Sequence, residues 1–366
     1  MKLVFTCGGT GGHINPALAI AATVRENIKD AEILFVGSEG GMETERVPRA
    51  GFPISTLPVR GLSRKNPLKL AGTVAALEKS VRLARKLLSD FSPDIVIGTG
   101  GFACYPTLRA AVSLGIKTAV HESNAVPGLA VRLLAPKMSR VWLNFEEAAA
   151  HLPKKASTLT VGNPLPSGFF EKSTPSLPPR GFRFSVLSFG GSLGASAINR
   201  AVLDAAELLA GGEVYFHHAT GKREYERFCR ILAERRLGGA PHLFAEPYID
   251  EMPRAMRGAD VVICRAGAMS ISELAAAGAV AILVPSPNVT GDHQTKNARA
   301  LEGVGAAILL PEERLTGETR AKTLTELLAD TARRGEMQRA VRKFYRPEAN
   351  RLIFEDILAL VGKKTQ

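Results

Sequence analysis

The sequence is poor in cysteine and contains no apolar run long enough to cross a bilayer. Its cysteines stand alone, without the spacing of a metal site, at Cys7, Cys104, Cys229 and Cys264. That pattern predicts buried free thiols in a reducing cytosol and argues against a disulfide framework. The longest apolar run, residues 274–284, is interrupted by Gly278 and ends before Pro285, so it predicts no transmembrane helix. We therefore expect a soluble protein without a targeting segment.

Acidic and aromatic residues are also in short supply. The chain has 35 Asp and Glu against 47 Lys and Arg, a net charge of +12, and this excess predicts an anionic partner. Nucleic acid, a phospholipid surface and a phosphorylated substrate would all satisfy that charge. Aromatic residues make up 6% of the chain, and we find no single-strand platform or groove-reading motif. A nucleic-acid-binding protein is therefore the least favoured class, and we expect no nucleic-acid partner.

What the sequence has in abundance is an alternation of short apolar runs with longer helical patterns. The predicted strands are 2–6, 33–37, 94–98, 117–121, 140–144, 183–189, 213–217, 260–264 and 279–284. Strands that alternate with helices predict an α/β protein with parallel sheets. At 366 residues, 45% of them hydrophobic, the chain can bury two ordinary cores.

A proline-rich stretch divides the chain. Residues 162–181, GNPLPSGFFEKSTPSLPPRG, have the composition of a linker. Each half of the chain starts with a strand, a glycine turn and a helix. This predicts two Rossmann-like domains, residues 1–163 and 164–345, that face one another across a cleft. The final segment, residues 346–366, contains an amphipathic helix that we expect to pack back on the first domain.

Glycine is concentrated where predicted strands end. Clusters lie at residues 8–12, 98–101 and 190–194. A tight strand-to-helix turn explains any one of them, but three together predict loops kept bare for a ligand at the carboxyl ends of parallel strands. The first cluster has Ile14 in place of the third glycine of a dinucleotide fingerprint, and it lacks the Lys-Ser/Thr of a P-loop. We expect a nucleotide or a phosphate as the ligand.

Other side chains are candidates for chemistry. Glu273, in the segment CRAGAMSISELAAAG, either stabilises a helix start or accepts hydrogen bonds from two vicinal sugar hydroxyls. His13 and His121 directly follow predicted strands, so each is a candidate general base as well as a candidate structural histidine. The polar stretch GDHQTKNA, residues 291–298, by itself indicates a helix N-cap.

Taken together, the motifs point to one family: GGTGGHINPALAIA, GTGGF, HESNAVPG, VGNP, GGSLGA, CRAGAMSISELAAAG and DHQTKNA. Through them the sequence resembles, over essentially its whole length, the bacterial glycosyltransferases that make lipid II in peptidoglycan synthesis. The resemblance implies a GT-B fold and inverting transfer of N-acetylglucosamine from UDP-N-acetylglucosamine. The implied acceptor is the muramyl 4-hydroxyl of undecaprenyl-diphosphate-MurNAc-pentapeptide, lipid I, at the cytoplasmic face of the inner membrane. A GT-B transferase of another nucleotide sugar to a membrane lipid acceptor is the alternative.

The resemblance also implies roles for residues of this chain. We expect His13 to be the general base, Glu273 to hold the ribose hydroxyls, and Ile249 to offer its backbone to uracil. The helix that starts near Ala268 would set its N-terminus against the diphosphate. The full set of implied substrate-binding residues is Thr10, Gly11, Gly12, Asn124, Ser192, Ile249, Ala268, Met269, Ser270, Ile271, Ser272, Glu273 and Gln294.

The sequence departs from the family pattern at several positions. Pro166 stands where many relatives have a donor-binding arginine, with Arg265 as the candidate replacement, and Leu193 and Phe102 replace the usual glutamine and tyrosine. We expect these changes to affect donor affinity more than activity. The chain has no Asp-x-Asp pair, so we expect neither a metal ion nor a cofactor. Helix dipoles and backbone N–H groups would then stabilise the leaving diphosphate.

A basic run predicts where the protein meets a membrane. Residues 60–86 contain eight Lys and Arg against the single acid Glu78, and a helix capped by Asn66 is expected to start at Pro67. Helical spacing places apolar and basic residues together on the polar face of this helix, at Leu68, Lys79, Leu83 and Lys86. Leucines among lysines suit an anionic bilayer surface, and a solvated basic face is the alternative.

Overall fold

The computed structural model describes the chain except for residues 60–66, 171–173, 192–193, 288, 290–291, 315–316 and 364–366, and it describes only the backbone of residues 67–74 and 317–320. The chain divides into two compact units. Unit 1 comprises Met1–Pro166 and Arg346–Gln366, and unit 2 comprises Ser167–Tyr345. Each unit contains its own sheet, and each is described by itself below.

The strands are short and mostly buried. They are β1 (Lys2–Thr6), β2 (Glu32–Ser38), β3 (Ile54–Leu57), β4 (Ile95–Gly98), β5 (Lys117–Glu122), β6 (Arg140–Leu143), β7 (Thr158–Thr160), β8 (Phe184–Phe189), β9 (Val214–Ala219), β10 (Leu243–Glu246), β11 (Val261–Cys264), β12 (Ala281–Leu283) and β13 (Ala307–Leu309).

Helices fill most of the intervals between strands. They are α1 (Gly11–Asn27), α2 (Glu43–Arg49), α3 (Pro67–Phe91), α4 (Cys104–Ser113), α5 (Leu129–Leu134), α6 (Ser196–Leu208), α7 (Tyr225–Glu234), α8 (Met252–Gly258), α9 (Ala268–Ala277), α10 (His293–Glu302), α11 (Gly317–Ala329), α12 (Thr331–Arg342) and α13 (Ala349–Leu360). Short 3₁₀ turns lie at Ala135–Lys137, Glu146–His151, Ser167–Phe169 and Glu312–Arg314. Within the described part of the chain, no helix is long and apolar enough to cross a membrane.

Both sheets are parallel throughout and share one topology. The strand order is β3-β2-β1-β4-β5-β6-β7 in unit 1 and β10-β9-β8-β11-β12-β13 in unit 2. The expected architecture of two Rossmann-like α/β units is confirmed. In each sheet the order reverses beside the first strand, between β1 and β4 in unit 1 and between β8 and β11 in unit 2. Ligands of such sheets bind at the carboxyl ends of the strands at this reversal.

Alternating side chains of the unit 1 strands build two cores. On one face, Phe5 and Phe35 stack with ring centroids 5.3 Å apart and pack beneath α1 and α13. On the other face, Val4 and Val96 pack against α4 and the C-terminal half of α3. Burial of both faces explains why these strands read as continuous apolar runs in the sequence.

Helix α13 belongs to unit 1 although it follows unit 2 in the chain. Its Ile353 and Ile357 are fully buried in the core beneath α1. The carboxylate of Asp356 accepts hydrogen bonds from Trp142 Nε1 at 2.8 Å and from Arg140 Nε at 2.9 Å and NH2 at 3.0 Å. This buried ion pair fixes the helix against the amino end of β6, away from the loops that follow the strands.

Comparison of the predicted with the observed strands shows a clear division. Each of the predicted strands is present, with ends displaced by a few residues at most. The strands that the sequence did not reveal are β3, β7, β10 and β13, which form the two edges of each sheet. Edge strands are flanked on one side only, and β7 and β10 are only half-buried, so their sequences lack the apolar run that identifies an interior strand.

Candidate active site

The first two glycine loops of unit 1 pack together at the reversal of its sheet. Gly101 has φ +92°, and a Cβ on it would collide with the backbone of Gly8. The hydroxyl of Thr99, which follows β4, donates to the carbonyl of His13 at 2.6 Å. The sequence reasoning that these bare loops share one place is therefore correct for residues 8–12 and 98–101. Only glycine fits where one backbone presses on the other.

His13 stands on the first turn of α1, half-buried, at the junction of these loops. Its Nδ1 lies 3.1 Å from the carbonyl oxygen of Gly8. A carbonyl can only accept, so Nδ1 carries the proton in the neutral ring, and Nε2 carries the lone pair. The ring rests on Gly100, whose φ is +109° and where a Cβ would lie 2.5 Å from the ring Cδ2. The loop thus holds the imidazole in one orientation and one tautomer.

The other predicted residues of the first loop surround this histidine. Thr10 is the exposed N-cap of α1 in extended conformation, and Gly11 and Gly12 form the first helical positions. The carbonyl of Thr10 accepts from the N–H of His13 at 3.1 Å. An N-terminus built from glycines brings backbone N–H groups close to a ligand without interference from side chains.

Glu43, which the sequence analysis missed, lies buried beneath the first glycine loop. It is 0% exposed, and its carboxylate accepts from the N–H of Gly9 at 3.1 Å, from the N–H of Ser38 at 2.8 Å and from the hydroxyl of Ser38 at 2.5 Å. A Cβ on Gly8 or Gly41 would collide with this carboxylate. Its hydrogen-bond partners, Gly9 and Ser38, come from the ends of β1 and β2 and are brought to it by folding. The sequence itself offers only the glycine pair that precedes Glu43 as a signal.

The HESN segment spans the end of β5, and its conformation is held by its own acid, Glu122. Glu122 is 5% exposed, and its Oε1 accepts from Asn124 N at 2.9 Å and Nδ2 at 3.0 Å, while Oε2 accepts from Gly128 N at 2.9 Å. This leaves Asn124 Oδ1 as the acceptor that the side chain can offer. His121 is buried with Nε2 2.9 Å from the carbonyl of Gly162, and burial lowers its pKa to about 4. His121 is therefore a structural histidine.

In unit 2, helix α9 starts at Ala268, where the sequence predicted it. Its N-cap is Gly267, which has no side chain to cap the helix, so neither Ser270 nor Ser272 is the N-cap. The predicted residues Ala268, Met269 and Ile271 are buried, the two serines are half-buried, and Glu273 is 8% exposed at the end of the first turns. Gly278, with φ +66°, ends the helix.

The loop after β12 is tied to its neighbours by several side chains. Gln294, on the first turn of α10, accepts from Ser286 N through Oε1 at 2.9 Å, so its NH₂ group is the part available to a ligand. Asn297 Nδ2 donates to the carbonyl of Ala266 at 3.1 Å. These bonds connect the turn that precedes α9 with the start of α10.

Arg265 does not present its guanidinium as the replacement for the arginine missing at Pro166. Its NH1 donates to the carbonyls of Val284 at 3.1 Å and Pro285 at 3.0 Å, and it pairs with Glu312 Oε2 at 2.7 Å. The side chain is 14% exposed. The charge is therefore committed to holding the loop after β12, and no observation supports a donor contact through it.

The remaining predicted residues of unit 2 are partly described. Ile249 is 3% exposed in the turn that follows β10, which leaves its backbone as the group available for recognition. Gly194, with φ +80°, presses on the carbonyl of Thr220, so the third glycine loop is held against the end of β9. Ser192 and Leu193 lie outside the described residues.

The cysteines are free, and most are buried as expected. Burial raises the pKa of Cys104 to about 12 and raises the pKa values of Cys7 and Cys264 well above the ordinary value. Cys229 differs from the expectation because it is only half-buried on α7. Among the described residues no group of three or more His, Cys, Asp and Glu side chains is placed to hold a metal ion.

The basic helix α3 starts at Pro67, as the sequence predicted. Val81, Ala84 and Leu88 are buried in the core of unit 1, whereas Leu83 is 41% exposed. Lys79 and Lys86 are exposed beside it, and the side chain of Leu68 lies outside the described part of the structure. Glu78, the acid of this run, pairs with Arg109 at 2.5 Å. The described part of this face is thus basic with one prominent leucine.

Two α/β units with parallel sheets and glycine loops at both reversals are the architecture of the GT-B fold, the fold of one large class of glycosyltransferases. Solved structures share this fold. MurG from Acinetobacter baumannii superposes with a TM-score of 0.71 at 26% identity, and the match covers 98% of this chain and 99% of the MurG chain. The glycosyltransferase of kitacinnamycin superposes with a TM-score of 0.73 at 15% identity over 98% of this chain and 99% of its own.

The chain belongs to glycosyltransferase family 28 and is a hexosyltransferase. The N-terminal domain model of that family matches residues 3–143 and the C-terminal domain model matches residues 185–352. A relative from Leuconostoc citreum (strain KM20) is 39% identical over all of both chains. Another, from Alkaliphilus oremlandii (strain OhILAs), is 38% identical over all of both chains. Both are named UDP-N-acetylglucosamine–N-acetylmuramyl-(pentapeptide) pyrophosphoryl-undecaprenol N-acetylglucosamine transferase.

Proposed function

We propose that this protein transfers N-acetylglucosamine from UDP-N-acetylglucosamine to the muramyl 4-hydroxyl of lipid I, giving lipid II and UDP, in peptidoglycan synthesis. The names of its full-length relatives support this substrate pair. The observation that carries the mechanism is the placement of His13, whose Nδ1 is bound to the carbonyl of Gly8 at 3.1 Å. That bond leaves Nε2 as a proton acceptor at the ligand end of the unit 1 sheet.

His13 is the general base of this reaction. Its Nε2 takes the proton of the acceptor 4-hydroxyl while the hydroxyl oxygen forms a bond to C1 of N-acetylglucosamine. The bond between C1 and the diphosphate oxygen breaks on the opposite side, and UDP leaves with the electron pair. Attack opposite to the leaving group inverts the configuration at C1. The Gly8 carbonyl accepts from the same ring throughout, so it also stabilises the imidazolium that forms.

The N-terminus of α9 receives the negative charge of the leaving diphosphate. Gly267 at the N-cap allows the diphosphate to approach the first N–H groups of the helix, at Ala268, Met269 and Ser270. The glycine loop at Thr10, Gly11 and Gly12 contributes further N–H groups in unit 1. This arrangement supplies charge stabilisation from backbone dipoles, and we propose that the transfer is independent of metal ions.

We assign recognition of the donor to the polar groups described above. The buried carboxylate of Glu273 accepts from the two ribose hydroxyls, and the backbone of Ile249 binds uracil. Gln294 donates from its NH₂ group to the sugar, because its carbonyl oxygen already binds Ser286. Asn124 offers its Oδ1, and Ser192 and the stretch Met269–Ser272 complete the donor contacts.

The protein acts as a peripheral enzyme at the cytoplasmic face of the inner membrane, where its lipid acceptor resides. Leu83, together with Leu68, enters the interface, and Lys79 and Lys86 bind anionic headgroups. The exposure of Leu83, Lys79 and Lys86 on α3 supports this surface.

The decisive experiment is transfer of radiolabelled sugar to a short-chain lipid I analogue, with and without EDTA, and with UDP-glucose as a parallel donor. We expect product from UDP-N-acetylglucosamine alone, at a rate that EDTA does not change. Transfer from UDP-glucose, or transfer only to an acceptor other than the lipid I analogue, would instead support the alternative of another nucleotide sugar and lipid. Loss of product in EDTA that is restored by added metal would reject the metal-independent mechanism.

A further inference from the structure

Glu43 is a buried carboxylate that the mechanism above does not use. It is fully enclosed, and each of its described contacts is a donor from the ends of β1 and β2: Gly9 N, Ser38 N and Ser38 Oγ. Gly8, Gly37 and Gly41 pack so closely on it that a Cβ on any of them would collide. Burying an ionised carboxylate is costly unless its hydrogen bonds are satisfied, so this pocket is built around the group.

One peptide group connects this carboxylate to His13. The peptide between Gly8 and Gly9 donates its N–H to Glu43 Oε2 at 3.1 Å and accepts from His13 Nδ1 on its carbonyl at 3.1 Å. The two ends of a peptide group are conjugated, so they polarise together. A negative charge at the N–H end therefore strengthens the acceptor at the carbonyl end, as in any chain of hydrogen bonds in a low-dielectric interior.

We infer that Glu43 is a positioning residue that acts on His13 through this single peptide group. It fixes the orientation of the peptide, selects the tautomer of His13 with the proton on Nδ1, and stabilises the imidazolium when Nε2 takes a proton. A carboxylate bonded directly to the base does the same work in serine hydrolases. Here the peptide stands between the carboxylate and the imidazole. The inference rests on the proposed role of His13 as general base.

The kinetic test compares Glu43→Gln with Asp356→Asn. Both changes neutralise a buried carboxylate in unit 1, but the described hydrogen bonds of Asp356 are to Trp142 and Arg140 in β6. For Glu43→Gln we expect kcat per folded molecule to fall about tenfold while KM for donor and acceptor changes less than about twofold. Asp356→Asn is expected to lose stability and keep its kcat. An equal, wild-type kcat in both folded variants would overturn the inference.

A spectroscopic test needs no substrate. In protein labelled with ¹⁵N-histidine, with the His13 signals assigned by their loss in His13→Ala, the ring nitrogens report the tautomer at mildly alkaline pH. We expect the wild type to hold the proton on Nδ1 and Glu43→Gln to shift His13 toward the tautomer protonated on Nε2. Identical His13 signals in the two proteins would overturn the inference even if sugar transfer is confirmed. If the wild type transfers no sugar, the proposed function is rejected. The NMR comparison of wild type and Glu43→Gln still tests whether Glu43 controls the tautomer of His13.

Glu43→Asp keeps the charge and serves if Glu43→Gln does not fold. Its shorter side chain withdraws the carboxylate from Gly9 by one methylene. We expect the same loss of kcat with little change in KM, and wild-type kcat in folded Glu43→Asp would contradict the inference.

Discussion

Units 1 and 2 share one strand order around the reversal of the sheet, yet each holds a different chemistry there. In unit 1 a half-buried histidine, His13, stands on the first glycine loop with its proton on Nδ1. In unit 2 the histidine near the same edge, His218, is fully buried at the end of β9, and burial lowers its pKa to about 3. The shared topology therefore specifies where a ligand binds, and local packing decides whether a side chain there can exchange protons.

The hydrogen bonds of His218 explain its different role. Its Nδ1 lies 2.9 Å from Ser188 Oγ and 3.1 Å from the Ser188 carbonyl oxygen, and its Nε2 lies 3.1 Å from Asn199 Oδ1. Asn199 Nδ2 donates to the carbonyl of Thr220 at 3.1 Å. Thr220 in turn lies against Gly194 of the third glycine loop. Both ring nitrogens are thus committed to holding a loop. In the proposed function, the histidine of unit 1 is the base and His218 of unit 2 has a structural role.

The largest expected effect is that of His13→Ala, which tests whether unit 1 supplies the general base. If unit 1 supplies the base, kcat should fall by about 10²- to 10⁴-fold, since that is the usual contribution of general base catalysis. The measurement is steady-state transfer to the lipid I analogue. His151→Ala, which removes an exposed histidine of the same unit, is the control and should leave kcat unchanged. Near-normal turnover by His13→Ala would remove the chemical distinction between the units.

The next effect concerns donor binding by unit 2. Glu273→Ala should weaken the affinity for UDP about 10- to 100-fold, because hydrogen bonds to a charged group contribute about 1.5–3 kcal/mol and about 1.4 kcal/mol is a tenfold change. Isothermal titration calorimetry with UDP measures this directly. Glu251→Ala, at an exposed acid at the N-cap of α8, is the control. Unchanged UDP affinity in Glu273→Ala would move ribose recognition to other residues.

A third prediction concerns pH, because each unit contains a buried histidine whose pKa is lowered by burial. The pKa values of His121 and His218 are lowered by burial to about 4 and about 3, against about 6.5 in an unfolded chain. Below pH 6.5 the unfolded state binds protons that the folded state does not. Stability is therefore complete above about pH 6.5 and declines as the pH falls toward those values, by about 1.4 kcal/mol per pH unit for each histidine.

Urea unfolding at several pH values measures that decline. His218→Gln should flatten the pH dependence of the unfolding free energy by about half, because only His121 then contributes. His151→Ala, at an exposed position, should leave the slope as it is. A wild-type slope in His218→Gln would show that its burial does not control the acid sensitivity of unit 2.

The smallest expected effect tests whether membrane binding belongs to unit 1 alone. Leu83→Ser should weaken partitioning onto anionic vesicles about three- to tenfold, and Leu68→Ser added to it should weaken it further. Leu208→Ser is a matched control, because Leu208 is a leucine of unit 2 that is 56% exposed, against 41% for Leu83. Equal partitioning of Leu83→Ser and wild type would leave α3 as a solvated basic face.

The interior strands of both sheets could be predicted from the sequence, and the edge strands could not. Interior strands such as Ile95–Gly98 carry a continuous apolar run because both of their faces are covered. The edge strand Thr158–Thr160 has a half-buried leucine between two exposed threonines, so no periodicity marks it. The start of α9 at Ala268 was predictable because glycine and the first turn are adjacent in sequence.

The sequence predicted candidate-site residues that belong to one short motif. It did not predict contacts between residues that are far apart in the chain. The sequence placed His13 and His121 alike at strand ends. Only the structure shows His13 half-buried on the first turn of α1 and His121 enclosed at the end of β5 beside Gly162. Glu43 acquires its role from Gly9, 34 residues away. Arg265 was the candidate replacement for a donor-binding arginine. Its ion-pair partner, Glu312, lies 47 residues later in the chain, so nothing in the sequence indicated the pairing. A sequence motif identifies the types of residue at a site, whereas their hydrogen-bond and ion-pair partners are known only from the folded chain.

The position of α13 imposes an order of assembly on the polypeptide as it is synthesised. Unit 1 is made from two pieces of chain with all of Ser167–Tyr345 between them. The last piece supplies Ile353 and Ile357 to its core and Asp356 to Trp142. A ribosome therefore releases every residue of unit 2 before it releases the helix that completes unit 1. The core of unit 1 can be completed only after unit 2 has been synthesised, and until then the side of α1 that packs on α13 lacks that cover.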